Sequence, residues 1–277
     1  MAMAPSQKIP GVSHIIAVSS GKGGVGKSTV STNLACALAL TGVRVGLMDG
    51  DITGPNIPTM MGVTELPKVT NVEGRGEIFI PPSSHGVKVM SMGFLVQGDQ
   101  PLIWRGPMLH QAVTQFCRQV DWGTLDFLVI DMPPGTGDVQ LSLAQTVPVT
   151  GAVLVTTPQE VAMQDVRRSY FMWDKVRVPI LGVVENMSYF KAPDTGHTYN
   201  IFGEGGGELL AKKFNTKVLA KLPLMPEVRQ GGDEGRPVVL RAPESEPALQ
   251  FKKLATQVAE LVHQVVDASQ LIQIGKF

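Results

Sequence analysis

A glycine-rich stretch between an apolar run and a helix-like run constrains the fold of this chain more than any other feature. The apolar run covers residues 14–18, and the helix-like run covers residues 30–40. Between them the sequence meets the pattern G-x-x-x-x-G-K-[ST] in full and reads Ser20-Gly21-Lys22-Gly23-Gly24-Val25-Gly26-Lys27-Ser28-Thr29. At such a turn, glycines let backbone N–H groups converge on phosphate oxygens, and the helix adds its positive N-terminal end. The sequence therefore predicts a phosphate-binding loop.

The residue types in this loop indicate how it would hold a nucleotide. Lys27 is expected to reach the β- and γ-phosphates, the Ser28 hydroxyl to ligate Mg²⁺, and Thr29 to contact the α-phosphate. The other nucleotide-binding positions predicted in the loop are Gly21, Lys22, Gly23, Gly24, Val25 and Gly26. An ordinary glycine-rich turn is the alternative, and the strand before and the helix after the loop argue against it.

Short apolar runs alternate with longer helix-like segments along the rest of the chain. We predict strands at residues 15–19, 44–48, 87–91, 127–130, 152–156, 181–185 and 218–222. We predict helices at residues 27–40, 107–120, 139–145, 162–175, 208–214 and 247–266. Continuous apolar runs suit strands that are buried on both faces, as in a parallel sheet. The predicted fold class is therefore α/β, with a single doubly wound, mostly parallel sheet.

The alternation continues without an internal repeat or a domain linker, which indicates one domain. We predict that residues 12–267 form this domain. Residues 1–11 are predicted to be a flexible N-terminal arm, and residues 268–277 a C-terminal tail.

Carboxylates follow two of the predicted strands, and in such sheets ligands bind at the carboxyl ends of the strands. Asp49 and Asp51 come after an apolar run, and at this spacing their side chains point to the same side if strand geometry continues. A solvated turn is the alternative for this pair. Asp131 directly follows Leu128-Val129-Ile130, which is the arrangement expected for a carboxylate that holds the Mg²⁺ shell.

The loop after Asp131 is predicted to sense the γ-phosphate. It reads Met132-Pro133-Pro134-Gly135-Thr136-Gly137-Asp138. Gly135 can offer its backbone N–H to that phosphate, so loss of the phosphate would release the loop in an order–disorder switch.

Two positions are predicted to contact the nucleotide base. Asn186 follows a predicted strand, and its amide offers both a donor and an acceptor, which suits adenine. A helix-capping asparagine is the alternative. Pro223 follows the last predicted strand and is expected to cover the base together with neighbouring apolar surface. The chain has no Asn-Lys-x-Asp signature for guanine, so ATP is favoured over GTP.

The composition narrows the possible partners and location. Lys and Arg number 24, as do Asp and Glu, and this balance gives no support to a general nucleic-acid or acidic-membrane binder. The two cysteines, Cys36 and Cys117, form neither a disulfide framework nor a C-x-x-C motif, which suits a reducing cytosol. The sequence shows no export signal and no membrane-spanning run, so a cytoplasmic location is expected.

The position of Lys22 makes the loop resemble the deviant Walker A motif of the MinD/ParA/nitrogenase-iron-protein class. In that class the first lysine reaches across a dimer to the partner's nucleotide. The resemblance therefore implies a P-loop NTPase fold of the SIMIBI type, a homodimer, and catalytic roles for Lys22 and Lys27. Asp51 resembles the switch I residue that orients or activates the attacking water. A solvated loop lysine is the alternative for Lys22.

Six motifs resemble those of the Mrp/ApbC/Nbp family of ATP-dependent iron–sulfur cluster carriers, over nearly the whole chain. They are the loop at 21–29, Asp49-Gly50-Asp51-Ile52-Thr53-Gly54-Pro55-Asn56-Ile57-Pro58, Trp104-Arg105-Gly106-Pro107-Met108, the stretch at 131–138, Glu185-Asn186-Met187-Ser188-Tyr189-Phe190 and Gly231-Gly232-Asp233-Glu234-Gly235-Arg236-Pro237. The resemblance implies an ATPase with ATP and Mg²⁺ as cofactors and slow turnover without a partner. It also implies a [4Fe–4S] cluster, and apo iron–sulfur proteins or assembly factors as partners.

The cluster ligands are where this chain departs from the family pattern. The resemblance implies a C-x-x-C after the Asn-Met-Ser-Tyr-Phe string, through which two subunits together hold the cluster. Those two positions are Ala192 and Thr195 in this chain. A cluster needs thiolate ligands, and alanine offers none. The iron–sulfur ligands of the family are therefore absent at this motif.

Other residues do not supply obvious replacements for the two thiols. Asp194 and His197 are hard or borderline ligands, and a surface turn explains both more simply. Cys36 and Cys117 lie among apolar residues and are predicted to be small buried hydrophobes. The alternative function is a MinD/ParA-like nucleotide switch that binds or positions a protein, membrane or DNA partner without carrying a cluster.

Overall fold

The computed structural model describes residues 8–51, 54–74, 76–95, 118–135 and 137–274. Its strands are β1 Val12–Ser20, β2 Val45–Asp49, β3 Lys68–Val72, β4 Gly76–Ile80, β5 Ser83–Ser84, β6 Val87–Ser91, β7 Leu125–Asp131, β8 Gly151–Thr156, β9 Ile180–Glu185, β10 Phe190–Lys191, β11 Thr198–Tyr199 and β12 Val218–Lys221. Eight of them form a central sheet in the order β12-β9-β8-β1-β7-β2-β6-β5. Neighbouring strands in it are parallel, except that β5 runs antiparallel to β6. Two small antiparallel hairpins, β3–β4 and β10–β11, lie outside the sheet.

Helices connect most of the parallel strands, as crossover connections require. The described helices are α1 Lys27–Ala39, α2 Ile57–Met60, α3 Asp138–Thr146, α4 Glu160–Lys175, α5 Gly206–Lys213, α6 Pro226–Asp233, α7 Val238–Arg241 and α8 Glu246–Ile274. None of these described helices combines the length and the apolar composition needed to cross a bilayer.

The central strands are apolar along their length because helices cover both faces of the sheet. Ile16 and Val18 of β1 face one hydrophobic cluster, which includes residues of α1 and α8. Ile15 and Ala17 face a second cluster, which includes Trp173 of α4. Successive strand residues point to opposite faces, so one continuous apolar run supplies two cores.

The carboxyl ends of the central strands meet at one edge of the sheet. In the parallel register Asp131 of β7 pairs with Val18 of β1 on one side and with Asp49 of β2 on the other. The two predicted carboxylates therefore lie on adjacent strands, directly beside the phosphate-binding loop that follows β1.

The predicted fold class is confirmed, and each of the seven predicted strands overlaps a strand of the central sheet. The helix predicted at 107–120 lies outside the described residues except for its last three positions. The prediction that the final helix ends at residue 266 is wrong, since α8 continues to Ile274. Residues 267–274 contain neither glycine nor proline, so nothing in the sequence stops the helix before Gly275.

Candidate nucleotide-binding site

The predicted phosphate-binding loop runs from the end of β1 to the start of α1. Gly26 is the N-cap of α1, with φ 81° and ψ 28°, and no side chain in the described part caps this helix end. The first turn of α1 also carries no acidic residue. The backbone N–H groups and the positive dipole end of α1 are therefore available to an anion.

Two glycines of the loop permit close approaches that a Cβ atom would prevent. At Gly21 a Cβ would lie 2.1 Å from the backbone carbonyl carbon of Asp165 in α4. At Gly26 it would lie 2.1 Å from Asn186 Nδ2, and the left-handed φ there also favours glycine. The shape of the loop therefore depends on its glycines as well as on its hydrogen bonds.

Asp131 is the centre of a buried polar cluster beneath the loop. Lys27 Nζ lies 2.7 Å from Asp131 Oδ2, and both side chains are almost fully buried. The Ser28 hydroxyl donates to Asp131 Oδ2 at 2.7 Å, and the Ser31 hydroxyl donates to Oδ1 at 2.6 Å. The Lys27 ammonium has no well-aligned hydrogen-bond acceptor in the described part, so its link to Asp131 is a charge contact. The predicted phosphate and metal residues are thus brought together in one cluster.

Asp49 is a buried carboxylate that anchors the loop leading to α2. Its Oδ1 accepts from the backbone N–H of Asp51 at 3.1 Å, and its Oδ2 accepts from Ser91 Oγ at 2.9 Å and from the Ile57 N–H at 3.3 Å. Burial, and secondly the charge of Asp131, raise the pKa of Asp49 from 3.8 to about 7. Through these contacts Asp49 holds the segment between β2 and α2 in place beside the phosphate-binding loop.

Asp51 and Gly135 flank the loop from two sides. Asp51 is half-buried and accepts from the Gly54 N–H at 3.2 Å. The Gly135 N–H donates to the Ser20 carbonyl at 3.2 Å, which ties the loop after β7 to the end of β1. The contact predicted between Gly135 and a γ-phosphate therefore requires exchange of this hydrogen bond. Thr136 of the same loop lies outside the described residues.

Asn186 lies against the phosphate-binding loop. Its Nδ2 donates to the Val25 carbonyl at 2.9 Å, and the residue is 6% exposed. Pro223 is also buried, in the segment after β12, where the Leu222 carbonyl accepts from the Ser188 N–H at 2.8 Å. The amide donor of Asn186 is thus engaged by the loop backbone. The predicted base contacts of Asn186 and Pro223 stay predictions.

A cavity of about 450 Å³ opens above the phosphate-binding loop. One wall consists of residues that the sequence predicted, including Lys22, Lys27, Ser28, Thr29 and Asp51. Lys22 is half-buried in this wall. Neither Asn186 nor Pro223 is among the described residues that line the cavity.

The opposite wall of the cavity was not predicted. It consists of residues at and around α2 and α6, among them Met60, Val228, Arg229 and Asp233. The signals in the sequence were the Asp49–Pro58 and Gly231–Pro237 motifs, which carried the family resemblance but assigned no role to the residues of this wall. The folding of α6 back onto α2 is a long-range contact that no local pattern encodes.

Glu185 is a buried structural position to which the sequence analysis assigned no role. It is fully buried at the end of β9, next to Asn186. Its Oε1 accepts from Ser188 Oγ at 2.5 Å, and its Oε2 accepts from the Gly207 N–H at 2.5 Å. One carboxylate therefore fixes both ends of the segment that contains the β10–β11 hairpin.

The hairpin β10–β11 carries the positions at which the family pattern has thiols. The Gly196 N–H donates to the Ala192 carbonyl at 2.8 Å, and the Ala192 N–H donates to the His197 carbonyl at 2.9 Å. Thr195 is exposed at the turn, as are Asp194 and His197. Backbone hydrogen bonds thus hold this turn, in agreement with its interpretation as a surface turn.

Cys36, which lies in the described part of the chain, does not replace the missing thiols. Cys36 is buried in α1, and burial raises the pKa of its thiol to about 12. The prediction that it is a buried hydrophobe is confirmed, whereas Cys117 lies outside the described residues. No group of three or more His, Cys, Asp or Glu side chains in the described part is arranged to hold a metal. The described residues therefore do not fit a cluster at this motif.

A nucleotide with Mg²⁺ fits the residues that are present. The loop offers uncapped helix N–H groups, and the buried Lys27 ammonium lacks an aligned hydrogen-bond acceptor in the described part. Ser28 and Asp131 bring a hydroxyl and a carboxylate oxygen within 2.7 Å, and these are the oxygen donors that Mg²⁺ prefers.

The fold and the site together define a P-loop NTPase of the MinD/ParA type. A nucleotide-binding protein from Archaeoglobus fulgidus, solved in complex with ADP, matches with a TM-score of 0.73 and 36% identity, covering 86% of this chain and 91% of that one. The cell division ATPase MinD of Pyrococcus furiosus matches with a TM-score of 0.67 and 27% identity, covering 90% and 99%.

The sequence comparisons identify the family within this class. The family model described as ParA, NUBPL iron-transfer P-loop NTPase, matches residues 11–259, and the chain belongs to this family. An iron–sulfur cluster carrier protein of Synechocystis is 52% identical over 254 residues, 91% of this chain and 72% of the relative. The protein of the same name from Escherichia coli K12 is 50% identical over 251 residues, 91% of this chain and 67% of the relative. The resemblance to iron–sulfur cluster carriers is confirmed.

Proposed function

We propose that this chain binds ATP with Mg²⁺ and hydrolyses it as a homodimer, and that this cycle is coupled to delivery of an iron–sulfur cluster or a client protein. The observation that carries the proposal is the contact of Lys27 and Ser28 with Asp131 beneath the loop, 2.7 Å in each case. These groups line or underlie a cavity of nucleotide size. The names of the relatives support the delivery role.

Each proposed catalytic step uses a residue of the described site. Lys27 binds the phosphates from the buried end of the loop, and Ser28 and Asp131 hold Mg²⁺. When bound, this ion neutralises charge on the phosphate oxygens. Asp51 orients the attacking water, because its carboxylate lines the same cavity as Lys27. Asp49 holds Asp51 in place through the backbone.

The proposed dimer assigns a role to Lys22. This side chain lines the cavity and belongs to the same loop as Lys27, yet the buried contact with Asp131 is made by Lys27. We propose that Lys22 acts on the nucleotide of the partner subunit. Turnover would then be slow until two copies, or a copy and a client, come together.

The proposed cargo is an iron–sulfur cluster passed to apo iron–sulfur proteins or assembly factors in the cytoplasm. In this proposal the cluster is a transferred substrate, since Ala192 and Thr195 supply no thiolates at the family position. The proposed domain at residues 12–267 would carry the whole ATP cycle.

A second function, a nucleotide switch that moves a partner without a cluster, is favoured by one observation. The turn at Ala192 and Thr195 is closed by backbone hydrogen bonds, and it needs no metal to keep its shape. In this case ATP would control the binding of a protein, membrane or DNA partner.

The ATPase proposal is tested by calorimetric titration with Mg²⁺-ATP and by phosphate release. Lys27→Ala should weaken ATP binding by at least about 100-fold, because it removes a buried phosphate ligand. Lys221→Ala, which removes an exposed lysine paired with Glu208, is the matched control and should bind normally. Wild-type protein that binds no ATP would refute the proposal. Lys22→Ala should fold and bind ATP but lose hydrolysis.

The cargo is tested by anaerobic reconstitution with iron and sulfide. Bound iron and acid-labile sulfide, followed by transfer to an acceptor apo-protein, support delivery of a cluster. Protein that takes up neither, yet shows ATP-dependent retention on DNA or liposomes, supports the switch instead.

A further inference from the structure

A buried polar network joins β1 to α3 and α4 directly before the phosphate-binding loop. Gln140 Nε2 in α3 donates to Ser19 Oγ in β1 at 2.5 Å, and Ser19 Oγ shares a hydrogen bond of 2.9 Å with Ser169 Oγ in α4. All three residues are at most 1% exposed. Ala17, on the same face of β1 as Ser19, belongs to the apolar cluster that includes Trp173. Three polar side chains are therefore buried in a largely apolar layer.

The network lies next to the backbone contact that involves Gly135. Ser19 directly precedes Ser20, whose carbonyl accepts from the Gly135 N–H at 3.2 Å. Gln140 follows in the first turn of α3, and no side chain in the described part caps the start of this helix. The chain after β7 is thus attached to successive residues of β1, once by its backbone and once by the Gln140 side chain. If Gly135 turns to a γ-phosphate, as predicted, the Gln140 attachment is kept.

The Gln140 amide is not explained by packing alone. Its Oε1 is buried and has no hydrogen-bond partner within the described part of the chain. An unpaired amide oxygen in a core costs stability, and an apolar side chain of similar length would fill the same space without that cost. What the glutamine adds at this position is its hydrogen bond to Ser19.

We propose that Gln140 is a positioning residue for recognition of the γ-phosphate. Through the Ser19 hydroxyl it fixes the start of α3 against β1, and this keeps the Gly135 N–H beside the phosphate-binding loop. Ser169 supports the Ser19 hydroxyl from α4. This role rests on the proposed ATP-binding function and adds to it a residue that favours ATP over ADP without touching either nucleotide.

The test compares a non-hydrolysable ATP analogue with ADP, each with Mg²⁺, by calorimetric titration of the full chain. Gln140→Met keeps the length of the side chain and removes its donor. It should weaken binding of the ATP analogue about tenfold, which is the size expected for one hydrogen bond to a charged group, and leave ADP binding unchanged. Gln145→Met, at a half-buried position of the same helix, is the matched control and should bind both nucleotides like the wild type.

A double-mutant cycle shows whether Gln140 acts through Ser19. Ser19→Ala should also weaken binding of the ATP analogue about tenfold. Ser19→Ala combined with Gln140→Met should lose no more than either single variant, because all three proteins lack the same hydrogen bond. Urea unfolding checks that each variant is folded, and Ser19→Ala carries the comparison of the two nucleotides if Gln140→Met does not fold.

Three results would overturn this role. An equal loss of affinity for both nucleotides would make the network merely structural, and unchanged affinity for the ATP analogue would exclude Gln140 from positioning Gly135. Losses that add in the double variant would separate Gln140 from Ser19. Failure of the wild-type chain to bind either nucleotide would instead refute the proposed function, so the two failures are distinguishable.

Discussion

Replacement of Gly26 by alanine tests the geometry of the phosphate-binding loop most directly. Gly26 has φ 81°, and a Cβ at this position would lie 2.1 Å from Asn186 Nδ2. That nitrogen donates to the Val25 carbonyl at 2.9 Å, so the added methyl group would push away the amide that holds the loop. The substitution therefore combines backbone strain with the loss of a buried hydrogen bond.

The expected destabilisation follows from these two contributions. A left-handed backbone costs a residue with a side chain about 1–2 kcal/mol. A buried carbonyl left without its donor costs about 1–3 kcal/mol. The free energy of unfolding of Gly26→Ala should therefore fall by about 2–5 kcal/mol, a large share of the stability of a typical domain.

Urea unfolding of the nucleotide-free protein, followed by circular dichroism, measures this change. Gly23→Ala is the matched control, because a Cβ at Gly23 meets nothing within 4 Å and its φ lies outside the left-handed region. This control should stay within about 1 kcal/mol of the wild type. In an Asn186→Ala background, Gly26→Ala should cost only the backbone part, about 1–2 kcal/mol.

The outcome that refutes the reasoning is simple to recognise. If Gly26→Ala is as stable as Gly23→Ala, neither the left-handed backbone at Gly26 nor the close approach of Asn186 contributes to stability as argued. If its cost is the same with and without the Asn186 side chain, the two residues are not coupled.

Three further substitutions test other parts of the site. Asp51→Ala should bind ATP within about threefold of wild type but hydrolyse it at least about 100-fold more slowly in a phosphate-release assay; unchanged turnover would reassign the water-orienting role. The pKa of Asp49 is raised from 3.8, the value for an unperturbed carboxyl, to about 7 in the folded protein. The stabilisation from protonated Asp49 is therefore fully present below pH 3.8 and is lost as the pH rises through 7. In urea unfolding, the free energy of unfolding of metal-free Asp49→Asn should therefore rise by roughly 2–4 kcal/mol relative to that of the wild type between pH 4 and pH 8. A difference between the two proteins that does not change with pH would contradict the raised pKa. Glu185→Gln should accelerate hydrogen exchange in residues 188–207 measured by mass spectrometry, and protection equal to wild type would exclude Glu185 as the anchor.

Local patterns in the sequence were sufficient to predict the strands of the central sheet and the phosphate-binding loop. Parallel strands buried on both faces need continuous apolar runs. The motif from Gly21 to Ser28 is typical of a turn from a strand to a helix. Asp49 and Asp131 were placed at the same sheet edge because each ends such a run. Their pairing on adjacent strands follows from the sheet order, which the sequence does not state.

The cavity wall at α2 and α6 and the hydrogen-bond partner of Asn186 could not be predicted from the sequence. Both depend on contacts between distant segments, such as α6 with α2 and the Asn186 amide with the Val25 carbonyl. The short helices α2, α6 and α7 also have too few residues for a periodic apolar pattern to stand out. The hairpin β3–β4 was missed because its strands are largely exposed and mostly lack a buried face.

The double attachment of residues 188–207 to Glu185 has a consequence for how this protein can diverge. Since Ser188 and Gly207 are held by one buried carboxylate, the segment between them can change in length or composition without moving β9 or α5. Ala192 and Thr195 lie inside this segment. Changes in this segment, including those at positions 192 and 195, can therefore alter the surface that it presents while the nucleotide-binding site keeps its architecture.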